Sequence, residues 1–139
     1  MARVTTYLNF VGTTEAAFEF YRQVFGTEFS HPVTRFGGAL GPDATEADRA
    51  LVMHVELPIL AGHVLMGTDV VASMGHRLAI GDNVSINLEP DSREEADRLY
   101  AALAEGGEGS GLADMPWGAY WGTLKDRFGT RWMFHVLAA

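Results

Sequence analysis

Residues 7–10 read Tyr-Leu-Asn-Phe, and residues 17–25 read Ala-Phe-Glu-Phe-Tyr-Arg-Gln-Val-Phe. The first segment belongs to an alternating run that predicts a strand, and the second places apolar side chains along one face of a predicted helix. The same order returns later, because Ile-Asn-Leu at residues 86–88 is followed by a second helical stripe over residues 96–103. A strand followed by an amphipathic helix therefore occurs twice, which indicates two similar half-domains.

Alternation and turn residues predict the other elements. Strands are expected at residues 4–10, 28–36, 51–57, 63–69, 84–89, 119–125 and 131–137, with a loop over 37–48 and a linker over about 71–82. Thr13 or Thr14 is expected to cap the first helix, and Asp91 with Glu94 fits a capping box before the second. Asp126–Gly129 predicts a hairpin turn, and the glycine-rich run Gly107–Gly111 predicts a flexible loop.

Composition narrows the class of protein. The chain has 139 residues, a formal net charge of −8, scattered basic residues and no cysteine. Nucleic-acid and anionic-membrane binders usually present a concentrated basic surface, so neither partner is expected. Without cysteine, thiolate nucleophiles, disulfides and Cys-type metal sites are excluded. No apolar run approaches the roughly 18 residues that a membrane span needs, and no signal-peptide pattern is visible, so a cytoplasmic protein is expected.

Four segments resemble the vicinal-oxygen-chelate superfamily, which includes glyoxalase I, bleomycin-resistance proteins and extradiol dioxygenases, and most closely its PhnB-like branch. The segments are residues 7–10 with 17–26, 52–57 (Val-Met-His-Val-Glu-Leu), 117–118 (Trp-Gly) and 125–132 (Lys-Asp-Arg-Phe-Gly-Thr-Arg-Trp). The resemblance implies an α+β fold of two βαβββ modules that form a curved mixed-sheet half-barrel. It also implies a single domain over residues 1–139, with module one at about 1–70 and module two at about 83–139, and a homodimer.

The resemblance also implies where a metal would lie. Metal-dependent members hold one divalent ion with His or Glu residues on the first and last strands of each module. Alignment to the family pattern places Thr5, Met66, Ser85 and Met133 at these positions. Hard divalent cations need imidazole or carboxylate donors, so the usual metal site is expected to be absent and no cofactor is predicted.

Other polar residues are candidates for a ligand cavity. If the large apolar side chains, including Met53, face the helices, the opposite strand faces line the cavity. The candidate cavity residues are Tyr7, Asn9, His54, Glu56, Trp121, Arg131 and His135. His54 and Glu56 are spaced i, i+2 and share a strand face, so with His135 they could hold a relocated metal. A simpler interpretation makes them hydrogen-bonding cavity residues. His31, His63 and His76 are expected in solvated loops or turns.

These observations leave several functions open. The first hypothesis is a protein that binds a small molecule without the usual metal, and whether it is an enzyme is left undecided. A second is a metal-dependent lyase, isomerase or dioxygenase that uses His54, Glu56 and His135. A third is a resistance protein that sequesters a drug by binding alone. The PhnB-like branch often carries a demethylubiquinone methyltransferase label, but Gly107–Gly111 follows a helix and so lacks the strand–loop–helix geometry of a phosphate-cradling motif.

Overall fold

The first strand and helix form where the alternating and helical patterns place them. In the computed structural model, which describes residues 1–137, β1 spans Thr6–Phe10 and α1 spans Thr14–Phe25. The chain divides into two compact units, Met1–Ala79 and the part from Ile80 onward. The first unit contains β2 (Thr34–Arg35), α2 (Glu46–Ala50), β3 (Val52–Pro58) and β4 (Val64–Asp69) in addition.

The four strands of the first unit form one mixed sheet in the order β1-β4-β3-β2. β1 and β4 are parallel, whereas β3 is antiparallel to both of its neighbours. Helix α1 packs on β3 and β4 through the fully buried side chains of Phe18 and Tyr21. Gly67 on β4 leaves room for this helix, since a Cβ there would lie 2.4 Å from a ring carbon of Phe18.

A bulge in β3 changes which side chains the strand buries. Thr34 pairs with His54, but Arg35 pairs with Val52, so Met53 is an extra residue on β3. Val52 and Val55 are both buried, whereas Met53 is exposed. The prediction that Met53 faces the helix is therefore wrong, because strict alternation does not continue through a bulge.

A buried carboxylate joins the start of α1 to the sheet. Asp69 accepts hydrogen bonds from the backbone amide and hydroxyl of Thr14, at 3.1 and 2.7 Å, and from the amide of Val52 at 2.9 Å. Thr13 occupies the position before the helix but makes no capping hydrogen bond with its side chain. The predicted local cap is thus replaced by a long-range one from the end of β4.

The second unit repeats this topology. It contains β5 (Ile86–Leu88), α3 (Arg93–Ala104), β6 (Glu108–Gly109), β7 (Ala113–Asp114), β8 (Ala119–Lys125) and β9 (Arg131–Leu137). The sheet order is β5-β9-β8-β6, with β7 also paired to β8. β5 is parallel to β9 and β8 is antiparallel to it, as β1, β4 and β3 are in the first unit.

A second buried carboxylate organises the β8–β9 hairpin. Asp126 accepts hydrogen bonds from the amides of Phe128 and Thr130, at 2.9 and 3.0 Å, and from the indole nitrogen of Trp132 at 2.9 Å. The turn closes with a 3.0 Å bond from the amide of Gly129 to the carbonyl of Asp126. The predicted hairpin is present, and its aspartate is the residue that holds it.

Other local predictions need correction. Ser92, and not Asp91, caps α3 by accepting from the amide of Glu95 at 3.1 Å. The predicted loop over 37–48 contains the start of α2, which Thr45 and Asp48 begin with a capping box. Part of the predicted flexible loop Gly107–Gly111 is strand β6. A Cβ at Gly109 would lie 2.1 Å from the hydroxyl of Tyr100, so this glycine serves close packing.

The expected α+β class, with two mixed sheets and few helices, is confirmed. The predicted half-barrel concerns how the two units are arranged, and it stays a prediction. Among residues 1–137, no helix is long and apolar enough to cross a membrane.

Candidate functional site

Three neighbouring strands place polar side chains in one row on the first sheet. Met66 on β4 pairs with Tyr7 on one side and with Glu56 on the other. Directly paired residues project from the same face of a sheet, and His54 lies two residues before Glu56 on that face. The sequence therefore brings Tyr7, His54 and Glu56 together, as the strand parities predict.

Hydrogen bonds connect these three side chains. The hydroxyl of Tyr7 lies 2.9 Å from Nδ1 of His54, and the ring centroids are 5.7 Å apart. The other ring nitrogen of His54, Nε2, lies 3.6 Å from Oε2 of Glu56. The imidazole is thus held from one side by a phenol, and its opposite nitrogen faces a carboxylate.

His31 completes the group from the segment that precedes β2. The amide of Ser30 donates to the carbonyl of Glu56 at 3.0 Å, which holds this segment beside β3. Nε2 of His31 hydrogen-bonds Oε2 of Glu56, and its ring stacks on His54 at 6.0 Å with an interplanar angle of 21°. One ligand atom from each of His31, His54 and Glu56 lies within 4.8 Å of the others. We call these three residues the histidine–carboxylate cluster.

His31 lies in an exposed loop, as expected, but its direct contact with Glu56 was not expected. Residues 28–36 were predicted as a strand, and antiparallel pairing of that strand with 51–57 would have set residues near position 31 against Glu56. The sequence therefore indicates that His31 could lie near Glu56. The exact pairing depends on the register between the two strands, which the bulge at Met53 shifts.

Neighbouring charges tune the ionisable groups of the site. The hydrogen bond to Glu56 raises the pKa of His31, and a hydrogen bond to the backbone of Pro32 adds to this effect. The same His31 contact is the main cause that lowers the pKa of Glu56. Burial, followed by the Glu56 charge, raises the pKa of Tyr7. Arg3 lies 3.6 Å from the second carboxylate oxygen of Glu56, whose side chain is 16% exposed.

The two aligned metal positions of the first unit contact each other. The hydroxyl of Thr5 donates to the thioether sulfur of Met66 at 3.7 Å. In the second unit, Met133 pairs in register with Asn87, and Ser85 precedes Asn87 by two residues. These four side chains offer hydroxyl and thioether groups in place of imidazole or carboxylate.

The remaining candidates occupy other places. Asn9 lies farther along β1, where it pairs with Thr68. Trp121 and His135 are direct partners across β8 and β9 of the second unit, and Arg131 pairs with Lys125. The ring of Trp121 also lies against Trp117, edge to face, at 6.2 Å. The expectation that His135 shares a cavity with His54 and Glu56 stays a prediction.

A cavity of about 390 Å³ lies against the second sheet. Its lining residues are Asp82, Glu108, Gly109, Thr123, Leu124, Lys125 and Arg131. The carboxylate of Asp82 lies 3.6 Å from the Lys125 ammonium and 3.9 Å from the Arg131 guanidinium. The candidate cavity residue Arg131 and its neighbour Lys125 therefore already share a carboxylate of this chain.

Comparison with known proteins agrees with this architecture. Residues 2–135 match the family described as 3-demethylubiquinone-9 3-methyltransferase. Protein PA1353 from Pseudomonas aeruginosa is 30% identical, with a TM-score of 0.83, and the alignment covers 99% of this chain and 98% of that chain. Among curated proteins, none matches the chain.

Two further solved structures have the same fold. A PhnB protein from Bacillus cereus is 24% identical, with a TM-score of 0.76 and coverage of 97% of this chain and 99% of that chain. A glyoxylase/bleomycin resistance protein/dioxygenase domain from Frankia is 12% identical, with a TM-score of 0.66 and coverage of 99% and 93%. The fold is thus that of glyoxylase/bleomycin resistance protein/dioxygenase structures, and the chain belongs to the 3-demethylubiquinone-9 3-methyltransferase family.

Proposed function

We propose that the protein binds a small polar molecule on the face of the first sheet formed by Tyr7, His54 and Glu56, with His31 at its edge. The observation that carries the proposal is a largely shielded carboxylate, 16% exposed, that two imidazoles and a guanidinium approach at once. Binding sites typically combine a few convergent polar groups with aromatic surface, and this face has both. The rings of Tyr7 and His54 offer surface for a flat part of the ligand.

The electrostatics of the face indicate what kind of ligand fits. The lowered pKa of Glu56 keeps its carboxylate ionised at neutral pH, where it accepts hydrogen bonds. The raised pKa of His31 favours an imidazolium that partly balances this charge. A ligand with a hydroxyl or amine donor next to a planar group matches this arrangement better than a strongly anionic ligand does.

The proposed binding does not use the superfamily's usual metal. The donors at the aligned positions are the hydroxyls of Thr5 and Ser85 and the thioethers of Met66 and Met133. A hard divalent ion does not fit this donor set, because thioethers prefer soft ions. The contact between Thr5 and Met66, at 3.7 Å, supports a packing role for these side chains.

Methyl transfer, the activity in the family's description, has less support from the residues. A glycine-rich motif that cradles a nucleotide cofactor joins a strand to the start of a helix. The run Gly107–Gly111 instead follows α3, and two of its residues pair with β8 as strand β6. We therefore propose binding, with any reaction acting on a ligand that the first unit holds.

We also propose that the protein is a homodimer, which the family resemblance implies, and that it lies in the cytoplasm. A chain of 15.1 kDa would then give twice this mass in solution. Light scattering coupled to gel filtration measures this mass directly, and a monomer at micromolar concentration would contradict the proposal.

Ligand-observed NMR with a library of small aromatic alcohols, amines and acids tests the binding proposal. The samples contain a chelator, so that only metal-free binding is seen. We expect compounds that bind the wild-type protein to be lost in Glu56→Gln and retained in Glu89→Gln, an exposed carboxylate of the second unit. Equal binding to both variants, or no binding at millimolar compound, would contradict the proposal. Turnover of a hit would favour an enzyme over a sequestering protein.

A further inference from the structure

We propose that His31, His54 and Glu56 form a binding site for one divalent transition-metal ion, most simply Zn²⁺, away from the superfamily's usual metal position. Two imidazoles and one carboxylate are the ligand set of many zinc and non-haem iron sites. The ligand atoms already lie within 4.8 Å of one another, on β3 and on the segment before β2. This inference deepens the proposed function. A contact between the metal ion and a bound small molecule rests on that function.

The distances suit a tetrahedral ion. Zinc bonds of about 2.0–2.2 Å place neighbouring ligand atoms roughly 3.3 Å apart. Nε2 of His54 lies 3.6 Å from Oε2 of Glu56, close to this separation. His31 contacts the same oxygen directly and lies on an exposed segment, so its ring can open by the small distance that an ion requires. Three protein ligands leave a fourth position for water or for the small molecule.

Both imidazoles have a second partner of the kind that orients metal ligands. A ligating histidine usually uses its other ring nitrogen to hydrogen-bond a protein group, which sets its tautomer and direction. Nδ1 of His54 lies 2.9 Å from the hydroxyl of Tyr7, which leaves Nε2 toward Glu56. His31 also hydrogen-bonds the backbone of Pro32. These outer contacts are the second, independent feature that a chance group of ionisable residues would lack.

Two positively charged neighbours of Glu56, the His31 proton and the Arg3 guanidinium, compete with an incoming metal ion. A metal binds neutral imidazole, so its binding displaces the proton through which His31 contacts Glu56. Arg3 approaches the other carboxylate oxygen at 3.6 Å, with its side chain 62% exposed. We therefore expect Arg3 to compete weakly with the metal and Arg3→Ala to bind it about two- to fivefold more tightly.

Calorimetric titration of chelator-treated protein with Zn²⁺ alone tests the site. We expect about one ion per chain, with binding lost in Glu56→Gln and in His31→Ala, and a Co²⁺ visible spectrum typical of tetrahedral coordination. His63→Ala is the matched control, because His63 lies in the same unit and hydrogen-bonds Thr6 at 2.9 Å. His135→Gln tests the alternative third ligand, and we expect it to bind like the wild-type protein.

Each outcome decides between the two proposals. No binding to the wild-type protein, unchanged binding in His31→Ala, or lost binding in His135→Gln would overturn the three-residue site. Because His31 is exposed and outside the strands, its alanine variant should fold, and circular dichroism confirms this. The titration contains no organic compound and the NMR screen contains chelator. Hits in the screen without zinc binding would leave the proposed function standing and remove only the metal site.

Discussion

The two units place the same elements around rows of different chemistry. In the first, the row across β1, β4 and β3 reads Tyr7, Met66 and Glu56. In the second, the row across β5, β9 and β8 reads Asn87, Met133 and Thr123. Each row has a methionine at its centre and differs at both ends. The shared strand order of the two units therefore does not determine which polar side chains occupy the face of the sheet.

The equivalence extends one step along the strand. His54 precedes Glu56 by two residues, and Trp121 precedes Thr123 by two residues. The first unit thus has an imidazole and a carboxylate where the second has an indole and a hydroxyl. At these equivalent positions, groups that titrate or bind metal occur in the first unit only. The polar face of the first sheet therefore carries ionisable groups, whereas the equivalent positions of the second carry an indole and a hydroxyl.

The largest expected effect on stability concerns the buried aspartate that each unit contains, at the start of α1 in the first unit and in the β8–β9 hairpin in the second. Asp69→Ala removes a carboxylate that accepts three hydrogen bonds at the start of α1, and Asp126→Ala removes one that accepts three in the β8–β9 hairpin. Because several donors lose the carboxylate that they share, each variant should lose about 3–5 kcal/mol of the free energy of unfolding. Urea unfolding followed by circular dichroism measures this loss.

Asp82→Ala is the control for both variants. Its carboxylate is about three-quarters exposed, and its contacts with Lys125 and Arg131 are 3.6 Å or longer. We expect its unfolding midpoint to match that of the wild-type protein. A loss below about 1 kcal/mol in Asp69→Ala would mean that water satisfies its donors, and the parallel between the two aspartates would fail.

A smaller effect is expected where glycines permit close approach. Gly67→Ala would place a methyl group 2.4 Å from the ring of Phe18, and Gly122→Ala would place one 2.3 Å from the carbonyl oxygen of Gly111. Overpacking of this kind costs about 1–3 kcal/mol. We expect the Gly122 variant to lose more within that range, because a backbone carbonyl yields less easily than a ring. Thermal and urea unfolding of both variants checks the order.

Gly38→Ala is the control for the glycine variants. A Cβ at that position meets no atom within 4 Å, and the residue has no positive φ. Its stability should stay the same or rise slightly, because alanine restricts the unfolded chain. If Gly67→Ala were equally harmless, helix α1 or the ring of Phe18 would have to shift readily on the first sheet.

The repeat was readable in the sequence because helix and strand periods depend on local patterns. The helix stripes, the face shared by His54 and Glu56, and the hairpin at Asp126 all follow from residue spacing. Thr14 could be foreseen as a helix start, but its partner Asp69 lies 55 residues away, and no local rule connects them. Long-range hydrogen bonds of this kind depend on strand order.

The site was predictable in part for the same reason. Tyr7, His54 and Glu56 share a face by parity alone, whereas His31 joins them through the pairing of the segment before β2 with β3. The bulge at Met53 shifts that pairing by one residue, and a single extra residue gives little signal in a sequence. His31 lies in a loop, as expected, and its direct contact with Glu56 depends on this pairing.

The variant with the smallest expected change in stability, Tyr7→Phe, is the most direct test of how the two rows differ. Tyr7→Phe removes the hydroxyl 2.9 Å from Nδ1 of His54, at a position open to water, and should cost about 0.5 kcal/mol. Its effect on the site should be larger, because losing an outer partner of a ligating histidine lowers metal affinity about 10- to 100-fold. Nitrogen NMR shifts of the His54 ring and zinc titration measure the two consequences separately.

Tyr120→Phe is the matched control for this prediction, since its hydroxyl hydrogen-bonds Asp97 in the second unit at 2.5 Å. We expect this variant to leave the His54 ring shifts and the zinc affinity at wild-type values. If Tyr7→Phe also left both unchanged, Tyr7 would contribute only ring surface. The ionisable character of the first unit's polar face would then rest on His54 and Glu56, with His31 in direct contact with Glu56.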